Sequence, residues 1–407
     1  MSNGPVVLAY SGGLDTTVIV HRIKAELGRD VIAVLVDVGQ GEDLSAAAER
    51  GLGAGAADAV IVDAKERFVA DVLTPAIAAN ALYEGKYPLV SALSRPLIAQ
   101  ICVEQARAKG ATAVAHGCTG KGNDQVRFEV AFGALAPDLE VLAPIRQWAM
   151  SRPEAIEYAT KHGVDIGWIT AEKSYSIDQN LWGRTIEGGI LEDPWNGVPD
   201  DAWELTRPTG SPGETIIGFE AGLPVSADGE RVGPAGVVAH LNKLAGGVGY
   251  GRVDMIENRR VGIKSREIYE VPGALAVLAA HRDLEDLTLE RDLARDKARL
   301  DLRWAELVYD GLWFSPLRAS LDAFMRESQA PVTGEVRLAF ADGNLAITGR
   351  RSDNALYRAD LATYDADDAF DHDAARGFVQ LWGLPTKVWS AASQRAGSTS
   401  TPGASTP

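Results

Sequence analysis

Short, wholly apolar runs alternate with segments of helical period through the first 170 residues or so. PVVLAY (5–10) precedes a helix-like stretch from Leu14 to Leu27, VIAVLVD (31–37) precedes EDLSAAAERGL, and AVIVD (59–63) precedes AKERFVADVLTPAIAANAL. A longer apolar-periodic segment, about 91–108, leads into TAVAH (112–116). Strands apolar at every position, separated by helices, predict a parallel sheet covered on both faces and an α/β class.

The pattern then changes. ETIIGFEAGLPVSADGERV (214–232) and GEVRLAFADGNLAITGRR (334–351) alternate and carry Asp-Gly, the signature of antiparallel hairpins. Between them, 272–329 is mostly helical and rich in mixed charges, which reads as solvated helix faces with i,i+4 pairs. This half is expected to be an α+β domain. A helix-like piece at about 366–383 stands apart, suited either to docking on a neighbouring subunit or to packing on its own chain. The tail SQRAGSTSTPGASTP is small and polar and is expected to be disordered. The expected divisions are 1–170, 171–360, 361–395 and a tail 396–407. The Pro/Gly-rich segment 192–214 reads as a long surface loop with no assigned role.

Composition narrows the function class. The chain of 407 residues carries a formal charge of −16, which argues against a nucleic-acid partner without excluding a local basic pocket for a small anion. Two cysteines, Cys102 and Cys118, are too few for a disulfide framework, and no zinc spacing is present. The first ten residues lack the basic start of a signal peptide, and no apolar run reaches the roughly 18 residues of a membrane span. A cytoplasmic enzyme or binding protein is expected.

The stretch LAYSGGLDTTVIV (8–20) sets two glycines and three hydroxyls between an apolar strand and a helix. In an open parallel sheet that turn lies at the carboxyl end of a strand, where ligands bind. Glycines admit a ligand close to the backbone, and free N–H groups at a helix start favour phosphate. Ser11, Thr16 and Thr17 add hydroxyl donors, so the turn suits phosphate oxygens. It is neither G-x-G-x-x-G nor a Walker A loop. Asp15 would repel phosphates unless a cation such as Mg²⁺ intervenes. The plainer alternative is an N-cap turn.

A second dense stretch, AHGCTGKGNDQVRFE (115–129), crowds Lys121, Asn123, Asp124 and Arg127 around Gly117, Gly120 and Gly122. An ammonium suits Asp124, and a carboxylate suits Arg127, Asn123 and backbone N–H groups, so the stretch fits a zwitterion.

SGGLDTT resembles the SGGxD[ST] loop of the ATP pyrophosphatase superfamily, whose members cut ATP between the α and β phosphates. HGCTGKGNDQVRFE resembles the long signature of the argininosuccinate synthase family. YPLVSALSRPLIA (87–99), SIDQNLWGR (176–184), IENRRVGIKSREIYEVPGA (256–274), AELVYDGLWFSPLR (305–318) and ATYDADDAFDHDAARGFV (362–379) resemble the same family, from about residue 5 to 385.

The resemblance implies a nucleotide-binding α/β domain, an α+β synthetase domain and a C-terminal oligomerisation helix in a homotetramer. It implies ligation of citrulline and aspartate with ATP, through a citrullyl-adenylate, releasing AMP and pyrophosphate. It places ATP, with Mg²⁺ on its phosphates, against Ala9, Tyr10, Ser11, Gly12, Gly13, Leu14, Asp15, Thr16, Thr17, the backbone near Val36, and Gly117. It places aspartate against Thr119, Asn123 and Asp124, and citrulline against Tyr87, Asn123, Arg127, Ser176, Glu257 and Tyr269.

Asp15 and Asp124 are the candidate catalytic acids, Asp124 chiefly orienting the aspartate amine; no dedicated protein metal site is expected. Arg127 and Glu257 could instead be structural ion pairs, Tyr87 and Tyr269 core aromatics, and Ser176 a turn hydroxyl. Thr17, Ala92 and Thr185 stand where relatives carry serine, so contacts from Ser91 and Thr185 to citrulline are left open. A tRNA thiouridylase would share the loop, but the acidity and the two cysteines speak against it.

Overall fold

The computed structural model describes residues 4–168, 175–363 and 369–398. It separates into two compact units, one ending at Ala355 and one beginning at Leu356.

The first unit opens on a five-stranded sheet: β1 (Val6–Ala9), β2 (Val31–Asp37), β3 (Asp58–Asp63), β4 (Ala113–Ala115) and β5 (Glu140–Leu142). Its order is β3-β2-β1-β4-β5 with every pair parallel. The apolar runs are explained by the two faces. Val7, Ile32, Val34 and Val36 enter one core, and Val6, Leu8, Val31, Ala33 and Leu35 enter the other. Alternate side chains of one strand leave the sheet on opposite sides, so both must be apolar. The chain moves outward from β1 to β2 and β3 on one side, then crosses to β4 on the other. The carboxyl ends of β1 and β4 therefore flank a topological switch point, where an open α/β sheet forms a crevice.

The expected hairpins form a second sheet: β8 (Gly213–Glu220), β9 (Leu223–Ala227), β10 (Glu230–Arg231), β13 (Gly334–Ala341) and β14 (Asn344–Arg351), in the order β10-β9-β8-β13-β14. Asp228-Gly229 and Asp342-Gly343 have positive φ at both residues, as the tight hairpin turn demands. The charge-rich segment is three helices, Pro272–Thr288, Arg291–Tyr309 and Pro316–Ser328.

A third, four-stranded antiparallel sheet has the order β11-β12-β7-β6, from β6 (Ser176–Asn180), β7 (Gly183–Glu187), β11 (Arg252–Asn258) and β12 (Lys264–Glu270). Polar strands such as SIDQN and GRTIE carry little of the alternation that marked the others. The 192–214 segment runs through a short 3₁₀ turn, Asp200–Ala202, before reaching β8. It is pinned by Glu270, fully buried, whose carboxylate accepts the Glu204 and Thr206 N–H groups at 2.8 and 2.9 Å and pairs with Arg184 at 2.8 Å.

The second unit holds the helices His372–Trp382 and Leu384–Ser398. The second of these reaches three residues into the segment expected to be a tail; residues 399–407 lie outside the described residues. Phe378, Leu381, Trp382, Val388 and Trp389 are exposed on these helices.

Candidate active site

The first loop follows β1 and enters the helix Leu14–Leu27. Gly12 has φ +75°, and an added Cβ would sit 2.7 Å from the Ala47 Cβ, so only glycine serves there. The hydroxyls knit the loop. Ser11 Oγ lies 3.1 Å from Thr16 Oγ1, Thr17 Oγ1 donates to the Gly13 carbonyl at 2.8 Å, and Tyr10 Oη meets Thr17 Oγ1 at 2.9 Å. Gly117, after β4, packs so tightly on this loop that a Cβ would come within 2.7 Å of Thr16 Cγ2. The two loops are thus held face to face across the switch point.

A cavity of about 710 Å³ opens there. Ala9, Tyr10, Ser11, Gly13, Thr16, Val36 and Gly117 line it, with Val38, Ile98 and Phe128 as apolar wall. Gly12, Leu14, Asp15 and Thr17 stand behind that lining: Leu14 is core, Thr17 braces the loop, and Gly12 accepts a bond from Arg50 at 3.2 Å. Asp15 is half-buried, and burial pushes its carboxyl up against the weaker opposing charge of Arg152.

A second cavity, about 270 Å³, is lined by Tyr87, Thr119, Asn123, Asp124, Arg127, Glu257 and Tyr269. Ser91 and Thr185 line it as well. Gly117, Cys118 and Asp124 line both cavities, so the two meet at these residues. Ser176 is exposed on β6 and lines neither, although its neighbours Ile177, Asp178 and Gln179 line the larger one.

At the junction Asp124 is held between two guanidiniums, Arg95 Nε to Oδ2 and Arg127 Nη1 to Oδ1, both at 2.8 Å. Burial alone would raise this carboxyl, but the two arginines more than reverse it and hold it well below the usual carboxylate range. Arg95 also binds Asp178 at 2.6 Å, and Ser91 Oγ donates to the same carboxylate oxygen at 2.7 Å. The helix Val90–Ala108, the helix Asp124–Leu135 and β6 are tied together by these bonds.

Deeper in the smaller cavity Glu257, 3 % exposed, accepts the hydroxyls of Tyr269 and Tyr309, the latter at 2.6 Å. Burial pushes its carboxyl up while the two hydroxyls and Arg127 oppose this. Tyr87 stacks on Tyr269 with centroids 4.2 Å apart. Asn123 donates to Tyr309 Oη at 2.9 Å and accepts the Arg260 N–H at 2.9 Å, and Arg127 donates to the Tyr309 carbonyl.

Sequence reasoning passed over Arg95, Asp178, Tyr309, Glu187, Arg259 and Glu267. Arg95 had a signal: a lone charge among the apolar and small residues of VSALSRPLIA must find buried acceptors. Tyr309 lay inside a recognised stretch but reads as an ordinary helix-end aromatic. Arg259 and Glu267 lay inside a recognised stretch too, and Glu187 had no signal, because it meets Glu267 only through strand pairing.

The sheet with its switch-point crevice, the glycine–hydroxyl loop and a polar cavity opening from it define a nucleotide-binding enzyme that presents a second substrate to its nucleotide. The chain matches the model for the Arginosuccinate synthase N-terminal HUP domain over residues 5–165 and that for the Arginosuccinate synthase C-terminal domain over 175–389. It is 54 % identical to the argininosuccinate synthase of Bacillus licheniformis over 94 % of this chain and 96 % of that one. It is 52 % identical to that of Synechococcus sp. over 96 % and 98 %, and 54 % identical to that of Rubrobacter xylanophilus over 95 % of each. The chain belongs to the argininosuccinate synthase family, ATP-using ligases that join citrulline to aspartate in arginine biosynthesis. Among the described residues no helix is long and apolar enough to cross a membrane.

Proposed function

We propose that the larger cavity takes ATP and the smaller one takes citrulline and aspartate, with the reacting atoms meeting at Gly117, Cys118 and Asp124. The observation that carries this reading is the sharing of those three residues by both cavities. A ureido carbon is deactivated by two nitrogens, so its oxygen must first become a good leaving group. The ureido oxygen attacks the α-phosphorus, the bond to the bridging oxygen breaks, and pyrophosphate leaves with the electron pair. The aspartate amine then displaces AMP.

In this reading the loop Ala9–Thr17 holds the triphosphate through N–H groups and hydroxyls, and the backbone at Val36 lies along adenine. Tyr87, Arg127, Glu257 and Tyr269 hold citrulline, while Thr119, Asn123 and Asp124 hold aspartate. Asn123 also reaches citrulline, and Ser176 enters the set only if its strand edge moves inward on binding. In the same reading Mg²⁺ comes with the ATP phosphates, and Asp15 is the loop's own acid beside them. The nucleotide part spans about 1–170 and the synthetase part 171–360, and the segment 361–395 assembles a homotetramer in the cytoplasm.

The test is isotopic. Citrulline labelled with oxygen-18 in the ureido group should pass the label to AMP. Label appearing in pyrophosphate or phosphate instead would overturn the adenylate route.

A further inference from the structure

The strand β4 ends at Ala115, and the chain passes through His116 into the loop that carries Gly117, Cys118 and Thr119. His116 lines neither cavity, yet it is fully buried beside Gly117 and Cys118, which line both. Its N–H continues the pairing with β5 by donating to the Leu142 carbonyl at 3.3 Å. Phe128, part of the apolar wall of the larger cavity, lies along its ring with centroids 5.8 Å apart.

The two ring nitrogens have different partners. The Cys118 N–H reaches Nδ1 at 3.2 Å. A backbone N–H can only donate, so Nδ1 must offer a lone pair. The proton then sits on Nε2, which lies 3.3 Å from the carboxylate oxygen Glu129 Oε1. Burial holds the imidazole pKa down, Glu129 and Asp124 oppose this, and Arg146 adds to it, so the ring is neutral. A second proton, on Nδ1, would face the Cys118 N–H. Glu129 is held in turn by Arg146, of the short helix Pro144–Trp148, at 2.5 and 3.1 Å. The same guanidinium donates to Gln125 Oε1 at 2.8 Å, and Gln125 Nε2 donates to the Gly120 carbonyl at 2.5 Å. One chain of hydrogen bonds thus grips the loop at Cys118 and again at Gly120.

We propose that His116, as the Nε2–H tautomer, is a positioning residue for adenylation, its Nδ1 fixing the Gly117–Cys118 peptide at the wall the two cavities share. A trans peptide points its C=O and N–H in opposite directions, so holding the Cys118 N–H on the buried imidazole turns the Gly117 carbonyl away from it. His116 touches no substrate and acts through this one peptide group. Transfer to the α-phosphorus needs the reacting atoms about 3–3.5 Å apart and aligned, and a displacement of about 1 Å costs on the order of 10²-fold.

The proposal rests on the reading of the two cavities given above. Citrulline-dependent exchange of labelled pyrophosphate into ATP measures adenylation; its absence in the unaltered protein would overturn that reading and this proposal with it, whereas the outcomes below bear on the proposal alone. Nitrogen-15 spectra of the imidazoles, with His116 assigned by its loss in His116→Asn, should show a protonated Nε2 and a bare Nδ1 from about pH 6 to about pH 8. A proton on Nδ1, or titration within that range, would overturn the assignment. Asparagine sets an acceptor close to the Nδ1 position and cannot reach Glu129; glutamine reaches toward Glu129 and offers nothing at Nδ1. Exchange should therefore fall by about 10- to 100-fold in His116→Gln, with KM for citrulline little changed, and by less than about threefold in His116→Asn. An Asn variant as slow as the Gln variant or slower, or a Gln variant as fast as the unaltered protein, would sink the proposal, because a side chain that only fills space does not distinguish its two nitrogens.

Discussion

Arg95 Nε, from the buried second turn of the helix Val90–Ala108, donates to Asp124 Oδ2 at 2.8 Å, and the same arginine reaches Asp178 on β6. With Arg127 on its other oxygen, Asp124 is an ionised anchor at the meeting point of the two cavities. Its chemistry is to hold a cation; taking up a proton would undo two ion pairs.

Asp124→Asn should therefore lower stability by on the order of 2 kcal/mol and weaken aspartate binding. The folded pKa lies below the unfolded value of about 3.9, so the ion-pair contribution is complete above that value and is lost as pH falls through the folded one. The cost measured by urea denaturation should accordingly be the same near about pH 6 and about pH 8.

Gly117→Ala forces a methyl against Thr16 Cγ2 and pushes the two nucleotide loops apart. KM for ATP should rise about tenfold, the equivalent of ~1.4 kcal/mol. Thr16→Ser keeps the hydroxyl and removes the clashing methyl, so the double variant should recover most of the affinity. Additive losses in the double variant would show that the contact is not the cause.

Tyr309→Phe deletes a hydroxyl that accepts from Asn123 and donates to Glu257. The loss of a hydrogen bond to a charged group is worth about 1.5–3 kcal/mol. KM for citrulline should rise by roughly 10- to 100-fold, with KM for ATP little changed. Steady-state kinetics with each substrate varied in turn distinguishes these outcomes.

Away from the site, Lys297 is 1 % exposed, with Nζ 2.9 Å from Glu285 Oε1 and 2.8 Å from Asp301 Oδ1. Asn80 donates to both carboxylates, at 2.6 and 3.1 Å, and lies 2.7 Å from His281 Nδ1. Lys297→Met leaves two buried carboxylates without their cation and should cost about 3–5 kcal/mol in chemical denaturation. A loss under about 1 kcal/mol would mean that the acids protonate or find water instead.

Removing residues 361–407 takes away the exposed apolar side chains of Phe378, Leu381, Trp382, Val388 and Trp389. Light scattering should then report an assembly smaller than that of the full chain. An unchanged mass would locate the assembly contacts elsewhere.

The parallel sheet, the hairpins and the helical segment were legible because each is a local pattern: apolar at every position for strands covered on both faces, alternating for strands covered on one. The glycine–hydroxyl loop was legible because backbone approach to a ligand restricts residue type at each position. The four-stranded sheet that walls the site was not. Its strands pair β7 with β12 across more than 75 intervening residues, and buried charges such as Arg184, Glu267 and Glu270 interrupt their buried Ile186, Ile268 and Tyr269, so hydrophobic periodicity carries little signal there. The protonation of each acid was equally invisible: Asp124 and Glu187 are both carboxylates in the sequence, and only the tertiary arrangement sets two guanidiniums on one and a second carboxylate opposite the other. Local patterning fixes which elements form, because it depends on neighbours along the chain. The charge state of a side chain depends on neighbours in space, and folding alone supplies those.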